Sequence, residues 1–504
     1  MEVREEPKET LTYRDTFDWR LQRAGLTLTT SPVGRRARIS LITPDGRVVD
    51  SVVPRVPRFV SDLPPGPVRK IVQTLVKHRR FLPRARAEWK GTLVAVLNED
   101  RKTVVRFRLR EGEASDSDGP GTIRLLPRLQ CLPLKGYRSE EREVTSFLKK
   151  TFKLKTEARA EVAAVYDAVG QTPGDYSSAF HLALDPEIEA AEATRRIQQT
   201  LLQTILANRE GVTRDWDTEF LHDFRVALRR TRSLLTQLKG VYPDSAVSHY
   251  GGEFRWLGGL TGPTRDLDVY LLNIPAYRAA LTEGARDDLE PLLQFLEKKK
   301  KTEHGLLLEA LGSERFSDLM GGWQTLLVNP QADDPRLLNA RRPIREVASE
   351  RIWRAYEKVL TKGRKAGRET SAEALHRLRI DCKKLRYLLT FFRSLFPAEA
   401  LNPILKELKK LQDHLGAFND LQVQREAIKS SAEEMMATET GPPPTLLAMG
   451  QLMGQLETHQ GLERDAFRKR FRRFFRPANQ ARFQTLFGPD PETESVPTTG
   501  KGPS

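Results

Sequence analysis

The chain has 504 residues, which is enough for two or three domains. Its formal net charge is +16 and its isoelectric point is about 9.8, so we expect an anionic partner: nucleic acid, polyphosphate, acidic lipid or acidic protein. The two cysteines, Cys131 and Cys382, lie far apart and predict neither a disulfide framework nor a metal site. No segment resembles a signal peptide or reaches the roughly 18 apolar residues of a membrane span, which predicts a soluble cytoplasmic protein.

The first part of the chain, residues 1–137, has the sequence pattern of a small antiparallel β-rich domain. Alternation of apolar and polar residues predicts strands at 24–30, 36–42, 91–97, 103–109 and 122–126. The segment Pro-Asp-Gly-Arg at 44–47 predicts a hairpin turn. Residues 66–77 predict a helix between the strands.

The rest of the chain is predicted to be helical, except at its end. Residues 138–178 predict a helical linker, with a hinge in the Gly- and Pro-containing segment 170–175. From about residue 186 the helical pattern continues nearly to residue 487. Small and helix-breaking residues predict breaks at 208–213, 240–244, 262–263, 273–275, 329–335, 362–367, 397 and 441–444. Residues 489–504 are predicted to be a disordered polar tail.

One stretch of the helical part occurs twice, at residues 221–232 and 375–387. His376 follows His222 by 154 positions. The same offset superimposes Arg225 and Arg379, Arg229 and Lys383, Arg230 and Lys384, Arg232 and Arg386, Gly262 and Gly416, and Asp266 and Asp420. A register kept without a gap over this distance indicates a duplicated helical unit.

Neither copy contains Pro or Gly, which predicts a helix in each. The residue spacing gives each helix an apolar back and a basic front. With about 100° per residue, the fronts carry His222, Arg225, Arg229 and Arg232 in the first copy, and His376, Arg379, Lys383 and Arg386 in the second. The acids of the two stretches, Asp223 and Asp381, point away from these fronts. Packed about a pseudo-twofold axis, both fronts would line one basic groove for an anion with many charges. A solvated basic face on each helix is the alternative.

The two histidines are expected to act as hydrogen-bond donors in this groove. The alternative is that each histidine bonds a carbonyl or caps a neighbouring helix. Neither copy has a cysteine or a second histidine at ligand spacing, so we expect no metal. We also expect no cofactor.

The second part of each repeat, residues 261–268 and 415–421, predicts a helix break or a tight helix contact that is followed by an acid. Asp266 and Asp420 are either catalytic carboxylates or, as we expect, acids that orient the basic side chains. In the last predicted helix, residues 464–476, Arg468 and Arg472 are expected to form another basic wall of the groove. The alternative is an amphipathic helix that packs through its phenylalanines.

Residues 180–480 resemble a CHAD domain, the conserved-histidine α-helical domain. The family pattern His-x-x-Arg-Val-x-x-Arg-Arg-x-Arg is matched from His222, and His-x-Leu-Arg-Ile-x-x-Lys-Lys-x-Arg-Tyr from His376. Further matches are Arg265, Asp266, Asp268, Tyr387, Gly416, Asn419 and Asp420. The resemblance implies an all-α domain at 179–488, built from two pseudo-twofold-related four-helix bundles with repeats around 186–330 and 340–488. It also implies that the basic cavity between the bundles binds inorganic polyphosphate.

Residues 13–21 and 24–28 are similar to a segment of CYTH domains, the triphosphate tunnel enzymes that often precede CHAD domains. The family site needs an N-terminal Glu-x-Glu-x-Lys strand, which residues 1–8 do not supply, and Pro7 is expected to break the strand. Residues 128–134 replace the late acidic strand and contain no acid. We therefore expect a degenerate CYTH-like domain that binds or docks. Metal-dependent hydrolysis of triphosphate or polyphosphate is the alternative.

The predicted fold class is thus α+β multidomain, with an antiparallel β-rich domain followed by the all-α domain. The predicted polyphosphate-binding residues are His222, Arg225, Arg229, Arg230, Arg232, His376, Arg379, Lys383, Lys384 and Arg386. The supporting residues are Arg265, Asp266, Tyr387, Asn419, Asp420, Arg468 and Arg472. Polyphosphate is preferred over nucleic acid because the fronts lack aromatic residues for base stacking. We expect no membrane partner, a place on polyphosphate granules, and an enzyme of polyphosphate metabolism as a second partner.

Overall fold

The structure is a computed structural model that describes residues 1–117, 119, 121–132, 134–156, 161–328, 334–368 and 371–489. The chain divides into two compact units, Met1–Ser178 and Ala179–Ser504. The predicted disordered tail lies outside the described residues apart from Pro489.

Among the described residues of the first unit, eight strands form one antiparallel sheet, so the β-rich prediction is confirmed. The strands are β1 Glu2–Asp15, β2 Thr27–Val33, β3 Arg36–Ile42, β4 Val48–Val53, β5 Leu82–Leu97, β6 Thr103–Ser115, β7 Ile123–Arg124 and β8 Arg128–Leu132. Their order is β4-β3-β2-β1-β5-β6-β7, and β8 pairs with β6. The predicted turn at 44–47 joins β3 and β4, as expected.

Strand β1 corrects one prediction, because Pro7 does not break it. The strand continues through Pro7, and its pairing with β5 shifts register between Glu6 and Glu9. Proline lacks the N–H that a sheet ladder needs, and a β-bulge leaves one residue unpaired. The bulge therefore accommodates Pro7 within a continuous strand of 14 residues.

The sheet carries short helices on its faces. They are α1 Arg20–Arg23, α2 Pro67–Val76, α3 Arg138–Phe152 and α4 Glu161–Ala168. Helix α2 buries Val68, Val72 and Val76 against β2–β4, which confirms the predicted helix at 66–77. The segment predicted as a linker includes α4, whose residues Val165 and Tyr166 pack in a second core of the same unit.

Among the described residues of the second unit, ten helices follow one another. The first half contains α5 Ala190–Thr213, α6 Thr218–Gln237, α7 Asp244–Ala280, α8 Glu290–Gly312 and α9 Glu314–Val328. The second half contains α10 Ile344–Arg368, α11 Ala372–Phe391, α12 Ala398–Ala437, α13 Pro443–Phe474 and α14 Pro477–Phe487. Each half thus has four long helices and a shorter fifth one, where the family resemblance implied four. None of these helices is long and apolar enough to cross a membrane.

Equivalent helices of the two halves contact one another: α5 with α10, α6 with α11, and α8 with α13. Contact between equivalent helices is the pairing that the predicted pseudo-twofold arrangement requires. A shared apolar core lies beside it and includes Leu292 and Leu296 of α8, Met435 of α12, and Met449 and Leu452 of α13. Burial of side chains of this size stabilises by about 1.5–3 kcal/mol each, so apolar contacts hold the two halves together, and an ion pair between Lys299 of α8 and Glu434 of α12 adds to them.

Several predicted helix breaks are wrong. Helix α7 runs through Pro263 and Pro275, and α10 runs through the predicted break at 362–367. Helix α5 extends through 208–213 and ends at Thr213. The breaks at 240–244, 397 and 441–444 are confirmed as the segments before α7, α12 and α13. Of the predicted break at 329–335, residues 329–333 lie outside the described residues.

A tight helix contact explains one of the misread glycines. A Cβ atom added at Gly363 of α10 would overlap the ring of Phe471 of α13, whereas a Cβ at Gly367 would meet no atom within 4 Å. Phe471 is buried. Glycine at 363 therefore permits α10 and α13 to approach closely and does not end the helix.

We predict that Gly363→Ala destabilises the helical unit by about 1–3 kcal/mol because it overpacks this contact. Gly367→Ala is the matched control in the same helix, and it should be neutral or stabilising by up to about 1 kcal/mol. Urea denaturation followed by circular dichroism measures both changes. Equal midpoints for the two variants would show that Phe471 does not constrain Gly363.

Candidate functional site

The two repeated stretches form α6 and α11, and each helix has the predicted apolar back. Phe224, Leu228 and Leu235 are buried in α6, as are Leu378 and Leu385 in α11. Side chains cap both N-termini. The carboxylate of Asp217 accepts from the N–H of Glu219 at 2.9 Å, and the hydroxyl of Ser371 accepts from the N–H of Ala374 at 3.2 Å. The caps and backs together fix the direction of the basic fronts.

Side chains from the two fronts meet where α6 contacts α11. Burial lowers the pKa of Lys383 to about 8, and the positive charges of Arg379 and Arg229 act in the same direction. Burial also lowers the pKa of Arg230, which lies within electrostatic reach of Tyr387 and Arg386 of the other copy. Cations of both copies therefore share one partly desolvated cluster.

A cavity of about 280 Å³, here called the first cavity, opens beside this cluster. It is lined by His222, Arg225, Arg229, Arg265, Asp266, Val269, Tyr270, Asp420, Val423 and Gln424. These residues come from α6 and α7 in the first half and from α12 in the second. The predicted residues His222, Arg225 and Arg229 are thus brought together with both predicted acids.

Arg225 has a structural role in addition to its charge. Its Nη1 donates to the hydroxyl of Thr261 at 2.6 Å and to the carbonyl of Gly258 at 3.1 Å. Burial lowers the pKa of Arg225 to about 10, with a further lowering by Arg229 and an opposite effect of Asp266. The guanidinium is therefore anchored to α7 while it contributes positive charge to the first cavity.

In the second half, His376 and Arg379 are held by neighbouring side chains of α12. The Nδ1–H of His376 donates to the amide oxygen of Asn419 at 2.6 Å, since that oxygen can only accept. Arg379 Nη2 lies 3.4 Å from a carboxylate oxygen of Asp420. The contact with Asn419 therefore places a proton on Nδ1 of His376 and orients its ring.

The first cavity contains both predicted acids, and they come from helices other than α6 and α11. The fronts of α6 and α11 carry no acid, but α7 supplies Asp266 and α12 supplies Asp420. Burial raises the pKa of Asp266, and the charges of Arg225 and Arg265 oppose that rise. Arg265 is held in turn by the carbonyl of Thr218, at 2.9 Å from Nη1. The acids neutralise part of the positive charge.

The remaining predicted residues are dispersed. Arg232 lines a smaller cavity of about 110 Å³ next to Arg225 and Arg229. Arg386 Nη1 donates to the amide oxygen of Gln412 at 3.0 Å. Lys384 lies in a separate cavity, described below. Arg468 and Arg472 are exposed on α13 and line none of these cavities.

Helix α13 follows the alternative interpretation more closely than the predicted basic wall. Its residues Phe467, Phe471 and Phe474 are buried.

Two residues that touch the cluster, Thr261 and Gln412, were missed in the sequence. Gln412 could have been found from the repeat, because it is equivalent to Gly258 under the offset of 154 positions. Gln412 contacts Arg386, and Gly258 lies beside Arg232, the residue equivalent to Arg386.

The comparisons with known proteins bear on the second unit. Residues 196–429 match the family model of the CHAD domain, which supports a CHAD domain in this range. The range contains both α6 and α11. This match does not extend to residues 1–137, whose CYTH-like assignment is not confirmed and stays a prediction.

Uncharacterised proteins from two strains of Mycobacterium tuberculosis are 26% identical to this chain over 251 residues, which is 49% of this chain and 47% of each relative. The chain thus matches about half the length of these curated relatives. The crystal structure of the CHAD domain from the plant Ricinus communis is similar with a TM-score of 0.49 and 25% identity, covering 58% of this chain and 95% of that chain. PptA from Streptomyces chartreusis is similar with a TM-score of 0.44 and 15% identity, covering 56% of this chain and 99% of that chain.

We predict that Thr261→Val lowers the free energy of unfolding of the helical unit by about 1.5–3 kcal/mol, because the partly buried guanidinium of Arg225 loses an acceptor. Thr236→Val is the matched control, since Thr236 is exposed and, among the residues that the structure describes, its hydroxyl bonds the carbonyls of Arg232 and Ser233 in its own helix. Urea denaturation followed by circular dichroism compares the two. A cost for Thr261→Val no larger than that of the control would contradict the anchoring role of Thr261.

Proposed function

We propose that the helical unit binds inorganic polyphosphate in the first cavity and along the basic fronts of α6 and α11. One observation carries the proposal: Arg229 of the first copy and Lys383 of the second lie within electrostatic reach of each other in a partly desolvated cluster. Like charges held together in this way favour an anion between them. The CHAD domain family is linked to polyphosphate.

The chemistry of the cluster suits a chain of phosphates. Arginine presents planar pairs of donors to phosphate oxygens, and lysine presents a mobile point charge. A polyphosphate chain offers anionic oxygens at every unit and carries no bases to accommodate. One aromatic residue, Tyr270, lines the first cavity, and burial raises the pKa of its hydroxyl to about 12. Single-stranded nucleic acid is usually held on several stacked aromatic rings, so polyphosphate is the better ligand.

Binding through many contacts serves to target the protein to polyphosphate granules or to organise them. Each exposed contact contributes about 1 kcal/mol or less, so the affinity arises from the number of contacts and weakens with salt. An enzyme of polyphosphate metabolism is the protein partner that this role brings close. The polyphosphate substrate of such an enzyme would already be concentrated on this protein.

The first unit has a binding or docking role in this proposal, as a degenerate CYTH-like domain. Its N-terminal strand carries acids that are paired with arginines of β6: Glu6 with Arg108 at 2.9 Å and Glu9 with Arg110 at 3.0 Å. Carboxylates engaged in this way are less available to hold Mg²⁺. Release of phosphate from tripolyphosphate by the full chain with Mg²⁺ would favour the enzymatic alternative.

We predict that Arg229→Gln combined with Lys383→Gln weakens binding of long polyphosphate by at least about tenfold. One residue comes from each copy, and neither side chain has a hydrogen-bond or ion-pair partner within the described residues. The matched control is Lys298→Gln with Lys301→Gln on α8, which removes the same charge from exposed positions. Filter binding or gel retardation measures the affinity, and circular dichroism confirms the helical fold. Equal affinities for the two double variants would contradict the proposal.

We predict that polyphosphate affinity falls by roughly fivefold as the pH rises from 7 to 9, which corresponds to one charged contact. The pKa of Lys383 is about 8 in the free protein, so this side chain loses its proton in that interval, whereas bound phosphate favours the protonated form. Lys383→Arg stays charged and should show a flatter profile. Parallel pH profiles for the two proteins would exclude Lys383 as the titrating contact.

A further inference from the structure

A second basic cavity lies apart from the first cavity and contains one predicted polyphosphate-binding residue, Lys384. It has a volume of about 320 Å³ and is formed by the C-terminal end of α6 together with α10 and α11. Its charged lining residues are Lys239, Arg351, Arg354, Lys358, Lys384 and Asp381. None of these lines the first cavity. The two cavities therefore present different side chains to a ligand.

The positive charge of the second cavity is only partly compensated. Lys239 and Lys384 have no carboxylate within 4 Å among the residues that the structure describes. Arg354 is 3.9 Å from Glu350, a distance at which an exposed pair contributes little. Within the described part of the chain, none of these three exposed cations has a carboxylate closer than 3.9 Å.

The acid of the cavity does not cancel this charge. Asp381 is buried and accepts a hydrogen bond from Lys362 of α10, which does not line the cavity. Lys358 lies 3.7 Å from the other carboxylate oxygen. Asp381 is thus shared between two lysines of α10 and works as part of the α10–α11 contact.

The end of α6 would by itself disfavour an anion, because a helix C-terminus carries partial negative charge. Arg351 offsets this effect. Its Nη2 donates to the carbonyl of Lys239 at 3.2 Å, just beyond the last turn of α6. Burial lowers the pKa of Arg351, and the charge of Arg354 acts in the same direction. An anion placed between these two arginines would relieve that repulsion.

The position of Lys384 connects the second cavity with the first. Lys383 and Lys384 are consecutive residues of α11, so their side chains point about 100° apart. Lys383 lies within reach of Arg229, whereas Lys384 faces the second cavity. A phosphate chain that extends beyond Lys383 therefore next reaches Lys384 and the other cations of the second cavity.

We propose that the second cavity is a phosphate-binding site of its own, with Lys239, Arg354 and Lys384 as its contacts. The proposal rests on the proposed function only for the identity of the anion. Two alternative ligands supply the phosphate in the second cavity: a separate short anion, or the continuation of a phosphate chain held in the first cavity. Both sources use the same three side chains.

The test is a triple variant, Lys239→Gln, Arg354→Gln and Lys384→Gln, which leaves the pair of Asp381 and Lys362 intact. Its matched control is Lys298→Gln, Lys301→Gln and Lys429→Gln, which removes three charges from other exposed positions. Isothermal titration with tripolyphosphate and with long polyphosphate, at one ionic strength, measures affinity and stoichiometry for both proteins. Circular dichroism verifies that both variants are folded.

Two results support the proposal and identify the source. If a separate short anion binds, the control takes up two equivalents of tripolyphosphate and the triple variant one. If the chain continues into the cavity, tripolyphosphate binding is unchanged and the affinity for long polyphosphate falls roughly tenfold relative to the control.

Identical affinity and stoichiometry of the triple variant and its control, with both ligands, would overturn the second site. This failure is distinct from failure of the proposed function. The first cavity is tested by Arg229→Gln with Lys383→Gln, which changes no residue of the second cavity. Loss of binding in that double variant together with no effect in the triple variant would leave the first site intact and remove only the second.

Discussion

Repulsion between positive charges of the two repeat copies is the constraint on which the rest of the site depends. Burial of the Lys383 side chain lowers its pKa to about 8, and the positive charges of Arg379 and Arg229 act in the same direction. Desolvation of charges is costly unless a partner of opposite sign is present. Asp266 and Asp420 provide part of that partner within the protein. In the proposed function, a bound phosphate chain provides the remainder.

The helical framework holds these like charges in place in the absence of a ligand. The apolar core shared by α8, α12 and α13 holds the two halves together, and none of its residues belongs to the cationic cluster. Arg225 is anchored by Thr261, and His376 by Asn419, so neither side chain relies on a ligand for its position. A preorganised set of donors loses less conformational entropy on binding than a flexible one. The conformational entropy of these side chains is thus lost during folding and not when the ligand binds.

The sequence was informative where structure depends on local periodicity and less so where it depends on packing. The spacing of His222, Arg225 and Arg229 on one face follows from helical geometry and was predicted correctly. Proline and glycine were misread: Pro263 lies inside α7, Gly363 serves a close contact with Phe471, and Pro7 lies at a bulge. The separation of Lys384 from Lys383, and the exposure of Arg468 and Arg472, depend on which helices pack together. No pattern within a single helix reveals that.

The most direct measurement of the central claim is the titration of the Lys383 side chain by NMR, with and without polyphosphate. A sample labelled at the lysine side chains, with Lys383→Arg to assign the signal, provides the curve. The account predicts a pKa near 8 in the free protein and a clear rise when long polyphosphate is added. A pKa at the ordinary lysine value in the free protein, unchanged by polyphosphate, would contradict a desolvated cationic cluster that binds phosphate.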